Sequence, residues 1–175
     1  GLVTLSGYAF DGMTRDTGWR FLSLGRRLER LSFIALALQT ALRQGRRAGL
    51  GWLLELTDSS ITYRTRFPSS PEWLPVLDLI VRDQANPRAL HYLADGIVDF
   101  LGRLQAQFGP FGVERMSQAL AQLRALDINN DLDPDSEVLA RTIDRLRQCA
   151  FETSDAITAR FFTQVPVTRP TPLAV

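Results

Sequence analysis

Arg26, Glu29 and Arg30 are the residues of this chain whose types and spacing point most directly to chemistry. Arg26 and Glu29 are i,i+3 neighbours, and Arg26 and Arg30 are i,i+4 neighbours, so a helix places all three on one face. They fall between Leu22 and Phe33. Charges flanked by apolar residues must be paired, hydrated in a cleft or occupied by a ligand. Read from the residues alone, the cluster is an internal ion-pair network that fixes helix register, because structural networks of this kind are common. A ligand reading stands beside it. Two Arg and one Glu leave an unbalanced positive charge that suits a carboxylate or a phosphate. In that reading Arg26 and Arg30 hold the anion and Glu29 acts as acid or base.

Asp58 repeats the theme on a face shared with Leu54 and Ile61, where it seeks Arg26, Arg30 or Arg64. If these pairs are buried, removing one partner costs about 3–5 kcal/mol. His91 precedes Asp95 by one turn, which reads as a surface helix pair because no nucleophile or second His accompanies it. Asp78 and Arg82 make an i,i+4 pair on a solvated face. Ser60 falls on a packing stripe, where it allows close helix approach. Asp127, Asn129, Asp131, Asp133 and Asp135 alternate through one loop. An EF-hand would need a central Gly and a late Glu, but Leu132 and Val138 stand there, so the loop reads as a capped turn.

The elements that must position these residues are helices. Phe21, Leu24, Leu28, Leu31, Ala35, Leu38 and Leu42 step by three and four and predict a helix over 17–44, capped by Asp16 or Thr14. Trp19, Leu22, Phe33 and Leu36 fall on its opposite side, at roughly 100° per residue. A helix apolar on two faces is expected to be central and buried on both. Leu53, Leu56, Ser60, Tyr63 and Phe67 predict a second helix over 51–66, ended by the Pro-rich turn after it. A short helix is expected at 71–82. Asn86 as cap and Pro87 at the first position predict a long helix over 87–107. Further helices are expected at 113–127 and 135–163. No segment alternates with period two, so the expected fold is an all-α bundle of about six helices. The domain is expected to span 1–163, with 164–175 a Pro-rich extended tail.

Composition narrows the function classes. The 175 residues are 45% hydrophobic and 22% charged, which suits a folded domain with its own core. The net charge of +1 argues against a nucleic-acid partner. All 20 basic residues are Arg, so Schiff-base and P-loop lysine chemistry are excluded. One Cys and one His exclude a zinc site built from those ligands, and no metal or other cofactor is expected. No apolar run reaches the roughly 20 residues of a membrane span. The unpaired Cys149 fits a reducing, cytoplasmic setting.

The string from Met13 to Arg30, containing Gly25-Arg26-Arg27-Leu28-Glu29-Arg30, resembles the bacterial alpha-E domain family, named for its helices and a Glu-Arg motif. Residues 53–67 and 77–90 resemble further blocks of that family in the same order. The resemblance covers roughly residues 1–163. Family members commonly run to about twice this domain-scale length and carry an earlier Gly-Arg-x-x-Glu-Arg copy. The chain is therefore expected to be the C-terminal half of such a protein. The residues that the resemblance carries over are Arg26, Glu29, Arg30, Asp58, Arg64, Asp83, Asn86 and Arg88.

The resemblance implies a partner that is ATP-grasp ligase-like or transglutaminase-like, and hence a role in amide formation or peptide modification. Two functions follow from different classes. One is a non-catalytic docking module of an amide-ligase system. The other is an enzyme or ligand-binding domain in which the Arg/Glu cluster holds an anionic peptide or amino acid. A solvent-reachable cleft at Arg26, Glu29 and Arg30 favours the second, and a closed network the first. A half-length member should also expose apolar surface on the first helix unless its own later helices cover both faces. A two-fold homodimer is the simplest remedy for such exposure.

Overall fold

The computed structural model describes residues 14–110 and 112–162. Among these residues it has seven α-helices and no strand, an all-α bundle. They are α1 (Thr17–Gln44), α2 (Leu50–Leu56), α3 (Ser60–Arg66), α4 (Trp73–Leu77), α5 (Leu90–Phe108), α6 (Val113–Arg124) and α7 (Glu137–Ile157). A π turn, Asp78–Arg82, prolongs α4, and another, Thr158–Phe162, prolongs α7. The expected Pro-rich tail at 164–175 lies outside the described residues.

Four long helices form the bundle. Leu24, Leu28, Leu31, Ala35 and Leu38 of α1 are buried, and α1 packs chiefly on α5 and α7. The facing rows are Leu90, Leu93, Ile97, Leu101 and Leu104 of α5, and Leu139, Ile143, Leu146, Ala150 and Ile157 of α7. Met116, Leu120 and Leu123 of α6 close the fourth side against α5 and α7. Each fully buried Leu or Ile contributes about 1.5–3 kcal/mol of hydrophobic stabilisation. The Asp16 carboxylate caps α1 by accepting from the Trp19 N–H at 3.0 Å, and the Ser136 hydroxyl caps α7 by accepting from Leu139 N–H at 3.2 Å. At the far end, Phe21 of α1 stacks with Phe108 and Phe161, which joins the ends of α5 and α7.

The first helix is not buried on both faces. Its inward row is closed, but Leu22, Phe33 and Leu36 on the outward side are 43%, 48% and 42% exposed. Periodicity marks both faces as apolar without telling what covers either.

The single helix expected over 51–66 is two. Asp58 sits between them with a positive φ of 52°. Three local bonds close the α2 end here: the Thr57 hydroxyl donates to Leu53 O, and Ser59 N–H and Asp58 N–H donate to Leu54 O and Glu55 O. The turn rotates the stripe, so Leu56 becomes exposed and Ser60 half-buried. The buried serine is Ser59, whose hydroxyl donates to Thr57 O at 3.2 Å. Tyr63 is fully buried. Its hydroxyl accepts from Glu72 N–H at 3.2 Å and donates to Ser70 O at 3.4 Å, which pins the Pro-rich turn.

The start of α5 is also displaced, from 87 to Leu90. Asn86 does not cap the helix. Its Oδ1 accepts from Arg88 N–H at 3.1 Å and its Nδ2 donates to Leu79 O at 2.9 Å, so it holds a turn before α5. The loop after α6 uses its carboxylates as caps: Asp127 accepts from Asn129 and Asn130 N–H, and Asp131 accepts from Asp127 N–H. Asp133 and Asp135 also pair with Arg46, at 2.7 and 3.2 Å.

Asp58 pairs with Arg88, not with Arg26, Arg30 or Arg64. Its carboxylate is largely exposed, so the pair belongs to the surface class, worth about 0–1 kcal/mol, and not to the buried one. The backbone matters more, because αL costs a residue with a Cβ about 1–2 kcal/mol and Asn or Gly tolerates it. Thermal melts should therefore show Asp58→Asn and Asp58→Gly close to wild type, and Asp58→Val lower by about 1–2 kcal/mol. A wild-type melt for Asp58→Val would contradict the strained turn.

Candidate functional site

The motif residues of α1 open onto a cleft of about 630 Å³ between α1 and the start of α5. Ser23, Arg26, Arg27, Glu29, Arg30 and Phe33 line one side, and Pro87, Tyr92 and Leu93 the other. Arg26, Glu29 and Arg30 are exposed at the rim. Among the described residues, Glu29 and Arg30 have no ion-pair partner within 4 Å. Among the described residues no closed ion-pair network forms around Glu29 and Arg30, and the cluster lines an open cleft. Among the described residues, three guanidiniums and one carboxylate line it. At the cleft floor, Ser23 is 1% exposed and its hydroxyl has no hydrogen-bond partner among the described residues.

Arg27 is the residue that the i,i+3 and i,i+4 reading passed over. Its guanidinium lies 4.9 Å from the centre of the Phe100 ring, a cation–π contact that ties α1 to α5. Its Nε–H is buried with no hydrogen-bond partner among the described residues. Room for it comes from Gly96 of α5, where a Cβ would stand 2.7 Å from Arg27 Nε and 3.3 Å from Cδ. The sequence carried one signal of this: a Gly inside a strongly periodic helix costs about 1 kcal/mol against Ala and usually has a packing reason.

The remaining motif residues hold the wall opposite. Asp83 pairs with Arg66 and accepts from Ala85 N–H at 2.8 Å. Burial alone would raise the Asp83 pKa, but the Arg66 guanidinium and the Ala85 N–H outweigh it and hold the group below its ordinary value. Arg88 pairs with Asp58. These two pins and the Asn86 turn fix the segment that presents Pro87 to the cleft. Arg64 stands apart, exposed on α3 at a separate hollow of about 340 Å³. The carried-over set is thus one basic cleft wall, one braced loop and one outlying Arg.

Arg27 and Tyr92 also border a second hollow of about 330 Å³, with His91, Asp95, Asp99 and Arg124. His91 is buried, not the surface pair expected from its spacing to Asp95. Arg124 intervenes: its Nε–H donates to His91 Nε2 at 3.2 Å and another N–H to Asp95 at 2.6 Å. Because Nε2 accepts, Nδ1 carries the proton, and it donates to Arg82 O at 3.1 Å. Burial, with the Arg124 charge, holds the His91 pKa below its ordinary 6.5, against the opposing pull of the Arg82 carbonyl.

Two predictions follow. The first concerns the seat of Arg27. Gly96→Ala should gain helix propensity yet lose it to the crowded guanidinium, so it should stabilise more in an Arg27→Ala background than in wild type. The double-mutant cycle should show a coupling of about 1 kcal/mol, and additive values would contradict the seat. The second concerns His91. Its lowered pKa means that the folded state resists the proton that the unfolded state takes up. Its contribution to stability is complete above pH 6.5 and is lost as pH falls through the folded pKa. The melting difference between wild type and His91→Gln should narrow from pH 7.5 to pH 5; a constant difference would contradict the neutral, bonded imidazole.

Among the described residues no helix is long and apolar enough to cross a membrane. No solved structure matches the chain. Uncharacterised proteins of Mycobacterium bovis and of Mycobacterium tuberculosis strain H37Rv are each 33% identical to it over 121 residues, 66% of this chain and 14% of theirs. The chain thus spans about a seventh of the length of the curated relatives it matches. Residues 1–162 match the Alpha-E family, described as a predicted alpha-helical domain with a conserved ER motif. Two Glu-Arg pairs occur here, Glu29-Arg30 in the cleft and Glu114-Arg115 on α6, where Arg115 pairs with Glu152 at 3.0 Å. With its whole helical bundle inside the matched span, the chain belongs to the Alpha-E family.

Proposed function

We propose that this domain holds an anionic group, the carboxylate or phosphate of a peptide or amino-acid substrate, in the cleft between α1 and α5. The observation that carries the reading is the gathering of Arg26, Arg27 and Arg30, with a single Glu, around one solvent-reachable cleft of about 630 Å³. Guanidinium forks match carboxylate and phosphate oxygens geometrically, and their fixed charge needs no protonation event. The unpartnered Ser23 hydroxyl at the floor offers a further donor. Phe33, Tyr92, Leu93 and Pro87 supply an apolar wall for the rest of the ligand. Glu29, at the rim, suits an N–H or ammonium group of the same molecule.

On this reading the domain supplies recognition, and bond making belongs to a partner. The alpha-E resemblance points to an ATP-grasp ligase-like or transglutaminase-like protein in that place, in the cytoplasm, where the buried free thiol of Cys149 stays reduced. The cleft then delivers a carboxylate-bearing peptide for amide formation or modification.

Calorimetric titration with inorganic phosphate, free glutamate and a tri-glutamate peptide tests the reading. Binding should weaken with added salt. It should fall about tenfold or more in Arg30→Ala and in Arg27→Ala, the loss of a charge-assisted bond. Arg64→Ala, far from the cleft, should leave it unchanged. Binding that ignores Arg27 and Arg30, or none by any of the three probes, would overturn the proposal. Co-purification with the ligase-like partner, followed by its activity with and without this domain, tests the setting.

A further inference from the structure

The outward row of α1 has the same spacing in both directions, with apolar residues at each end and opposite charges at its centre. From Trp19, steps of three, four, three, four and three residues reach Leu22, Arg26, Glu29, Phe33 and Leu36. Its character runs apolar, apolar, basic, acidic, apolar, apolar. These steps keep one helix face over five turns, the spacing of a packing seam. The seam is open: Arg26 and Glu29 are exposed, and Leu22, Phe33 and Leu36 leave close to half of their surface in water. Trp19 is half-buried against Phe100 at the end of the row.

We propose that this face is a homodimer interface in which α1 of one copy pairs antiparallel with α1 of a second. With the two-fold axis between Arg27 and Leu28, Leu22 meets the other copy's Phe33, Trp19 meets its Leu36, and Arg26 meets its Glu29. Every contact is made twice, as an isologous interface requires. The charges choose the occupant and its direction. An antiparallel copy sets Arg26 against Glu29 at both central positions, whereas a parallel copy sets Arg on Arg and Glu on Glu. Glu29, without an ion-pair partner among the described residues, gains one. Gly25, on the same stretch, has nothing within 4 Å of where a Cβ would be, which leaves room for a helix to approach. The seam shares Arg26, Glu29 and Phe33 with the cleft of the anion reading, so the two are told apart at Leu22 and Leu36, which lie outside that cleft.

Sedimentation equilibrium over a concentration series is the test. The protein should pass from monomer to dimer as concentration rises. Leu22→Asp and Leu36→Asp, which lie outside the cleft, should each raise the dimer dissociation constant about tenfold or more while phosphate binding stays as in wild type. Glu29→Arg should also raise the dimer dissociation constant, because it sets Arg against Arg across the axis. The double exchange Arg26→Glu with Glu29→Arg restores opposite charges across the axis and should restore the dimer. A monomer at every concentration overturns the proposal. So does a dimer indifferent to Leu22→Asp and Leu36→Asp, or one that the double exchange fails to rescue. Loss of phosphate binding in a Leu22→Asp protein that stays folded would instead show that the seam and the cleft are one site.

Discussion

The close approach of α1 to α5 at Gly96 sets everything on the functional side of this domain. Arg27 occupies the volume that a side chain at position 96 would take, and its guanidinium rests on Phe100. A helix of 28 residues turns as one body, so seating Arg27 fixes the rotation of all of α1. Arg26 and Arg30 then stand over the cleft, Leu24, Leu28 and Leu31 point into the core, and Leu22, Phe33 and Leu36 point outward. A rotation of one residue, roughly 100°, would bury a guanidinium and expose a leucine, and the core would oppose both. The cation–π contact is small beside the hydrophobic rows. Its effect comes from where it sits, against Phe100 and beside Gly96 at the contact of α1 with α5.

Much of the bundle was legible from periodicity. The inward rows of α1, α5, α6 and α7 repeat every three or four residues, and each buried row is the one the spacing marks. What spacing could not supply was the break at Asp58. Leu53, Leu56, Ser60 and Tyr63 keep helical spacing across Thr57, Asp58 and Ser59, and the left-handed backbone at Asp58 with the local bonds around it divides α2 from α3. Asn86-Pro87 misled in a related way. The pair is a strong helix start, but Asn86 spends its amide on Leu79 and its carbonyl side on Arg88, and the helix begins three residues later.

The site was legible in part. The Gly-Arg-Arg-Leu-Glu-Arg string put Arg26, Glu29 and Arg30 forward together, and the structure gathers them at one cleft. Whether they face protein or solvent depends on what lies across from them, and no local pattern carries that. The same gap explains the outward face of α1, whose apolar character is plain while its exposure is a tertiary fact. It also explains His91, where Arg124, 33 residues away, enters between the imidazole and Asp95 and makes a buried network out of a one-turn pair.

The two walls of the cleft differ in how they are held. The basic wall is α1, locked into the bundle along its length. The other wall begins at Pro87, on a segment hung from α2, α3 and α4, helices of seven, seven and five residues. Helices that short do not persist by themselves in water. They stand here because Leu53, Leu54, Tyr63, Val76 and Leu77 are buried in the common core, with Arg66–Asp83 and the exposed Arg88–Asp58 pair as further ties. Local opening of this region therefore costs less than unfolding the bundle. The cleft thus has one wall on a single long helix and the other on several short elements braced to the same core.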